Sequence, residues 1–224
     1  MYYQIKGLVL NSKTEGEADK VSAIYSLEWG KISAIAPGAK KIKAKLNAAT
    51  EPLTESEFMV YQSAPSMRPR ITGARVINSN VSLKTDFQKT IYALYAAEIC
   101  DKMLPYNIQN EKKYSLITRI WEILDNTHFP RRAIAAFTLR FLTLSGYAFS
   151  DYIKQGNLSI DRDLQKSIYE LSTCRGSRID ELVIDDGKVC RLVESYLLNY
   201  APEPKCRIFL EKISKFKSNV FAEL

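Results

Sequence analysis

Lys31, Lys40, Lys41, Lys43 and Lys45 crowd the stretch from Gly30 to Thr50, which holds no acidic residue. Lysines on a loop neutralise a polyanion without reading its sequence, so this strip is a candidate phosphate-binding surface. A run of like charge is also what an ordinary solvated face looks like, and the sequence leaves both readings open. Arg68, Arg70 and Arg75 are weaker candidates for the same role. Stacking platforms for unpaired bases would come from Tyr2, Tyr3, Tyr25, Trp29, Phe58 and Tyr61, any of which could equally fill a core.

Catalytic chemistry finds little support. The lone histidine, His128, sits beside Phe129-Pro130 and reads as a loop or core residue. No G-x-S-x-G elbow or P-loop occurs. Asp185-Asp186 could serve as the metal-binding carboxylates of a nuclease. They precede Gly187 and a helical pattern, however, so a turn with an N-cap is the better reading. Cys100, Cys174, Cys190 and Cys206 form no C-x-x-C pair and read as reduced thiols. The expectation is a protein that is not an enzyme and carries no metal or cofactor.

These residues must be positioned by a fold, and composition bounds it. The chain has 224 residues, 46% of them hydrophobic and 25% charged, which suits a globular protein with a real core. A net charge of +7 suits an acidic partner, either nucleic acid or an anionic surface. No apolar run approaches the roughly 18 residues of a membrane span. Met1 to Lys6 leads into strand-like sequence without a signal-peptide pattern, so a cytoplasmic, nucleoid-associated protein without a membrane partner is expected.

Period-two patterning predicts strands over Tyr3–Leu10, Lys20–Leu27, Gly30–Ala36, Phe58–Ala64 and Arg70–Asn78. Asn11 to Glu17 reads as a polar turn, and Pro37-Gly38 breaks the third strand. Ile5, Leu8 and Leu10 are core candidates, and Val21, Ala23, Tyr25 and Leu27 alternate along the second strand. Five short strands suit a small closed barrel of the OB type; a two-sheet sandwich also fits, but the strand count favours the barrel. From Ser82 the period becomes helical. One helix is expected up to Pro105, one over Lys112–Leu124 and one after Pro130, with shorter ones over Asp161–Leu171 and Lys188–Tyr200. The fold class is therefore α+β multidomain: an OB-fold barrel over residues 1–80 and an all-α domain over residues 81–224.

Several strings in order resemble the RecO family of bacterial recombination mediators. They are Gly7-Leu8-Val9-Leu10, Gly16-Glu17-Ala18-Asp19-Lys20, Gly30-Lys31-Ile32-Ser33-Ala34 and Gly38-Ala39-Lys40-Lys41. The segment from Ala93 to Pro105 resembles the helix that opens that family's C-terminal domain. Phe137 to Tyr147 resembles its F-x-L-R-x-L-x-x-x-G-Y string, with Gly146 where a helix C-cap wants glycine. Lys205-Cys206-Arg207-Ile208-Phe209-Leu210 is similar to the family's K-S-R-x-x-L segment, with cysteine in place of serine. Many members follow the G-Y pair with two C-x-x-C pairs that bind zinc. Ala148 to Tyr152 contain no cysteine, so a zinc-less variant is expected.

The resemblance implies a recombination mediator of the RecF-pathway type. Such a protein binds single- and double-stranded DNA, anneals complementary strands, binds RecR, and helps RecA load onto strands coated by single-stranded DNA-binding protein (SSB). It also implies that the helical domain grips the acidic, hydrophobic SSB tail in an apolar pocket rimmed by cations. Arg132, Arg140, Phe141, Lys205 and Arg207 are the candidates for that pocket, although Phe141 could be plain core and the arginines surface ion pairs. A protein-interaction scaffold with no DNA role, and a metal-dependent nuclease, are the rival classes.

Overall fold

The computed structural model describes residues 1–40, 45–65, 67–156, 160–210 and 212. Its first part is a barrel of β1 (Tyr2–Glu15), β2 (Asp19–Ser26), β3 (Gly30–Ala36), β4 (Glu55–Tyr61) and β5 (Arg70–Asn78), with a short helix α1 (Lys45–Ala49) between β3 and β4. The strands close in the order β1-β2-β3-β5-β4, a five-stranded barrel of the OB type. β1 pairs with both β2 and β4, and a register shift between Val9 and Asn11 bends it so that one strand serves two neighbours. The barrel closes through β3 and β5, which meet in parallel at Ile35 and Arg70. Ile5, Val9, Ile24, Ile32, Phe58 and Val60 fill the interior.

Two strand expectations are corrected by pairing. The polar stretch after Leu10 is not a turn: β1 continues to Glu15 because Ser12, Lys13 and Thr14 pair across to Ser22, Val21 and Lys20. β4 starts earlier than its apolar run suggests, at Glu55, and ends at Tyr61. The inward residues of β2 include Ile24, whereas Tyr25 packs outward with Leu8, Leu10 and Leu53 into the helical core. Val21, Ala23, Tyr25 and Leu27 do alternate along one face, and Tyr25 and Leu27 of that face pack against the helices.

The helices are α2 (Val81–Thr85), α3 (Phe87–Met103), α4 (Glu111–Asn126), α5 (Pro130–Leu144), α6 (Phe149–Lys154), α7 (Arg162–Thr173) and α8 (Asp186–Leu197), with a 3-10 turn over Gly176–Glu181. The helix expected up to Pro105 is α3, and Asp86 before it caps it by accepting from the Lys89 N–H. Asp161 and Asp185 cap α7 and α8 in the same way. α5 lies among α3, α4, α7 and α8, and its Phe137 and Phe141 pack with Trp121 of α4 in the core. Residues 205–210 are also helical and dock on α3, where Glu98 accepts from the Lys205 and Cys206 N–H groups at 2.9 and 3.0 Å.

Barrel and helices are joined at one seam. Tyr114 Oη donates to Glu55 at 3.0 Å, and Tyr25 Oη donates to the Asn110 carbonyl at 3.2 Å. Asn107 N–H donates to the Lys31 carbonyl at 2.9 Å, and Lys31 and Tyr106 form a parallel bridge. Gly30 permits this approach. Its φ is +68°, and a Cβ there would sit 2.2 Å from the Ile108 carbonyl oxygen.

Candidate nucleic-acid interface

Register places a row of exposed side chains across the barrel. Tyr2 is opposite Tyr61, and Tyr61 is opposite Arg70, so the three share the outer face of β1, β4 and β5. The Tyr2 and Tyr61 rings lie 5.0 Å apart at 51°. They are 67% and 37% exposed, which is unusual for paired tyrosines unless something else covers them. Tyr25 and Phe58, the other way round, are fully buried. Rings open to solvent beside a cation are the elements of a platform for single strands.

The cations around this row differ in what they already hold. Arg68 pairs with Glu15 at 3.1 Å, Arg75 with Glu57 at 2.8 Å and Lys20 with Glu51 at 2.9 Å. The arginines in these pairs are exposed, and such pairs are weak enough for a phosphate to compete. Lys13, Lys40 and Arg70 make no ion pair among the described residues. The turn bearing Lys40 is pinned to the β1–β2 hairpin: Gly38 N–H donates to Asp19 Oδ1 at 2.8 Å, and Lys40 N–H to the Ala18 carbonyl at 2.9 Å. Lys41 and Lys43 lie outside the described residues, and Lys45 opens α1.

Lys31 is a correction. It is 5% exposed, its ammonium is 2.9 Å from Asp101 Oδ1 and bonds the Asp101 carbonyl, and it lies 4.6 Å from the centre of the Tyr106 ring. It fastens the barrel to α3, and reaching a phosphate would break that buried pair.

The helical candidates also separate. Arg132 is 5% exposed and grips Asp186 through two bonds of 2.7 and 2.8 Å, with further bonds to the Ile179 and Leu182 carbonyls. Phe141 is fully buried and stacks on Phe137 at 5.6 Å. Both are internal supports, unable to touch a docked peptide. Lys205 and Arg207 stand elsewhere: Arg207 pairs with Glu203 and lines a separate cavity with Tyr92 and Tyr95. Arg140 alone of the set borders an open groove of about 620 Å³. There it donates to the Ser172 carbonyl at 2.8 Å and bonds the Cys174 carbonyl. The groove has Leu116 and Leu144 on its walls, and Lys112 and Arg119 join Arg140 on its border. The sequence reading missed Lys112 and Arg119. The signal was their heptad spacing on the polar side of α4, which acquires meaning only with α7 packed across from it.

The N-terminal model of the family described as Recombination protein O matches residues 1–80, and its C-terminal model matches residues 84–150. The chain belongs to the RecO family. Among curated relatives, the DNA repair protein RecO of Heliobacterium modesticaldum is 33% identical over 146 residues, 65% of this chain and 52% of that protein. The protein of that name from Acetivibrio thermocellus is 29% identical over 163 residues, covering 71% of this chain and 64% of the relative. That from Oceanobacillus iheyensis is 36% identical over 104 residues, 46% of this chain and 40% of its own length. The matched region thus spans about half the length of these relatives.

In this RecO-family chain the candidate metal and catalytic residues have other tasks. Asp185 caps α8 through the Lys188 N–H, which holds its carboxyl below the ordinary range. Asp186 holds Arg132. His128 donates its backbone N–H to Asp180 at 3.0 Å. Among the described residues no group of three His, Cys, Asp or Glu is arranged to hold a metal. The cysteines are free, and burial pushes the Cys190 and Cys206 thiols up to about 12, which keeps them protonated and unreactive at neutral pH. No helix among the described residues is long and apolar enough to cross a membrane.

Proposed function

We propose that this chain is a recombination mediator in DNA repair, binding DNA through its barrel and carrying out no catalytic step itself. Family membership supports the role, and the exposed Tyr2–Tyr61–Arg70 row is the observation that ties it to a surface. Single strands stack bases on the tyrosines while Arg70, Lys13, Lys40, Lys41, Lys43 and Lys45 neutralise phosphates. Duplex DNA uses the cations alone. Two strands neutralised on one surface with their pairing edges free can anneal, because the repulsion between their backbones is reduced.

The family's partners are part of the same proposal: RecR, the SSB tail and, indirectly, the RecA filament. The acidic, hydrophobic SSB tail fits the groove beside α4, with its carboxylates on Lys112, Arg119 and Arg140 and its apolar side chains on Leu116 and Leu144. The barrel and the helical part then act as two domains, residues 1–80 and 81–224, in the cytoplasm.

The test is single-stranded DNA affinity against salt, for wild type and for a variant with Lys40, Lys41, Lys43 and Lys45 changed to alanine. Each lost contact flattens the log–log slope by about 0.7, and loss of all the contacts flattens it by roughly 2.8. An unchanged slope and affinity, with folding intact, removes DNA from this surface and favours a protein-interaction scaffold.

A further inference from the structure

A cavity of about 630 Å³ opens where the seam meets the loop between β4 and β5. Trp29 and Tyr106 contribute rings to it, Asn107 and Gln109 contribute amides, and Glu28 and Arg68 contribute opposite charges. The residues flanking the exposed row in sequence, Gln62 after Tyr61 and Pro69 before Arg70, line the same cavity. The cavity is therefore a neighbour of that row along both β4 and β5.

Asn107 and Gln109 stand exposed, with their amides open to a ligand. The side chains of Asn107 and Gln109 and the indole N–H of Trp29 make no hydrogen bond among the described residues. Tyr106 is 55% exposed, with the Lys31 ammonium over its ring. A cation on one face leaves the other for stacking. Glu28 is held in place by the Lys6 N–H at 3.0 Å and the Ser26 hydroxyl at 3.3 Å, so a carboxylate stays at the cavity wall. That charge repels a phosphate or an acidic peptide inside. Arg68 lines the same cavity with the opposite charge, and a phosphate can displace its exposed pair with Glu15. The occupant is therefore neutral and planar, with hydrogen-bonding edges, and attached to an anionic backbone that remains outside.

We infer that this cavity receives one unstacked base of a bound single strand, read on its edges by Asn107 and Gln109. The inference rests on the DNA-binding reading above and goes beyond it by giving the protein a base-specific contact as well as a phosphate surface. The site exists only because Gly30 lets residues 106–109 lie against β3. Duplex DNA cannot fill it without losing a pair, so the cavity discriminates single strands from duplex.

The test uses a double variant, Asn107→Gly with Gln109→Ala; glycine keeps the left-handed backbone of Asn107, whose φ is 59°. Its affinity for an oligothymidylate and for an abasic oligonucleotide of the same length is measured beside wild type. The expected result is about tenfold weaker binding of the oligothymidylate, in keeping with the loss of two hydrogen bonds to a base edge, with abasic binding and the salt slope unchanged. Tryptophan emission gives a second readout. Trp121 is buried in the helical core at 1% exposure, so quenching by oligothymidylate arises at Trp29 and disappears in Trp29→Phe. Equal binding of both oligonucleotides by wild type, or an equal loss on both in the variant, overturns the cavity while leaving the phosphate surface standing. No binding of either oligonucleotide by wild type overturns the DNA reading itself.

Discussion

Gly30→Ala tests the seam most directly, and Gly38→Ala is its control. Both glycines have left-handed backbones, with φ of +68° and +65°. An alanine in that region costs about 1–2 kcal/mol wherever it occurs. At Gly38 the added methyl meets nothing within 4 Å, so the backbone cost is the whole effect. At Gly30 the methyl would sit 2.2 Å from the Ile108 carbonyl oxygen and 2.7 Å from its nitrogen, both of them backbone atoms. Residues 106–110 must therefore withdraw from β3. That breaks the 2.9 Å bond from Asn107 N–H to the Lys31 carbonyl, worth about 1 kcal/mol, and loosens packing around Lys31. The expected loss is about 3 kcal/mol for Gly30→Ala and about 1–2 kcal/mol for Gly38→Ala. For a chain of this size the first corresponds to a fall in Tm of about 6–12 °C. Equilibrium urea unfolding of the two variants beside wild type measures the difference. Losses agreeing within about 0.5 kcal/mol would refute the claim that Gly30 is required for the close approach.

Arg132→Ala should destabilise the chain by about 2–3 kcal/mol in the same urea assay. It strands Asp186 and two carbonyls, but Asp186 is 37% exposed, which keeps the cost below that of a fully buried pair. For the tail groove, Lys112→Glu with Arg119→Glu should weaken an SSB tail peptide more than tenfold by fluorescence anisotropy, while Lys205→Ala leaves it unchanged; the reverse pattern moves the site. Glu98 gives a pH prediction. Burial opposes its charge, but the Cys206 and Lys205 N–H groups and Lys102 hold its carboxyl below the ordinary 4.5. Its contribution is therefore fully present above about pH 4.5 and lost as pH falls through the lower folded value. Amide protection factors over residues 205–210, taken relative to the intrinsic exchange rate at each pH, should fall below that pH in wild type, and be lower and flat with pH in Glu98→Gln.

The features legible from sequence alone are those set by neighbours in the chain. The alternation of Ile32, Ala34 and Ala36 placed one face of β3 inside because a strand's side chains alternate whatever lies around it. Ile117, Ile120, Trp121 and Leu124 defined the buried side of α4 by the same kind of local geometry. Asp185 read as a cap from its position before a helical pattern, and the family strings were contiguous segments. Tertiary structure decided the rest, because pattern registers that a residue is buried but not which partner buries it. Tyr25 is buried on the outer face of β2, where Val21 and Ala23 are only half-buried, because the helices cover that end of the strand. Lys31 looked like part of a phosphate strip because its counter-ion, Asp101, is brought in only by the seam. Arg132 and Phe141 carried the right chemistry for a peptide site and were enclosed by their own packing. Lys112 and Arg119 became partners of Arg140 once α4, α5 and α7 came together. Charge and aromaticity are properties of the residue. Whether they are available for binding depends on contacts between distant segments, and those exist only in the folded chain.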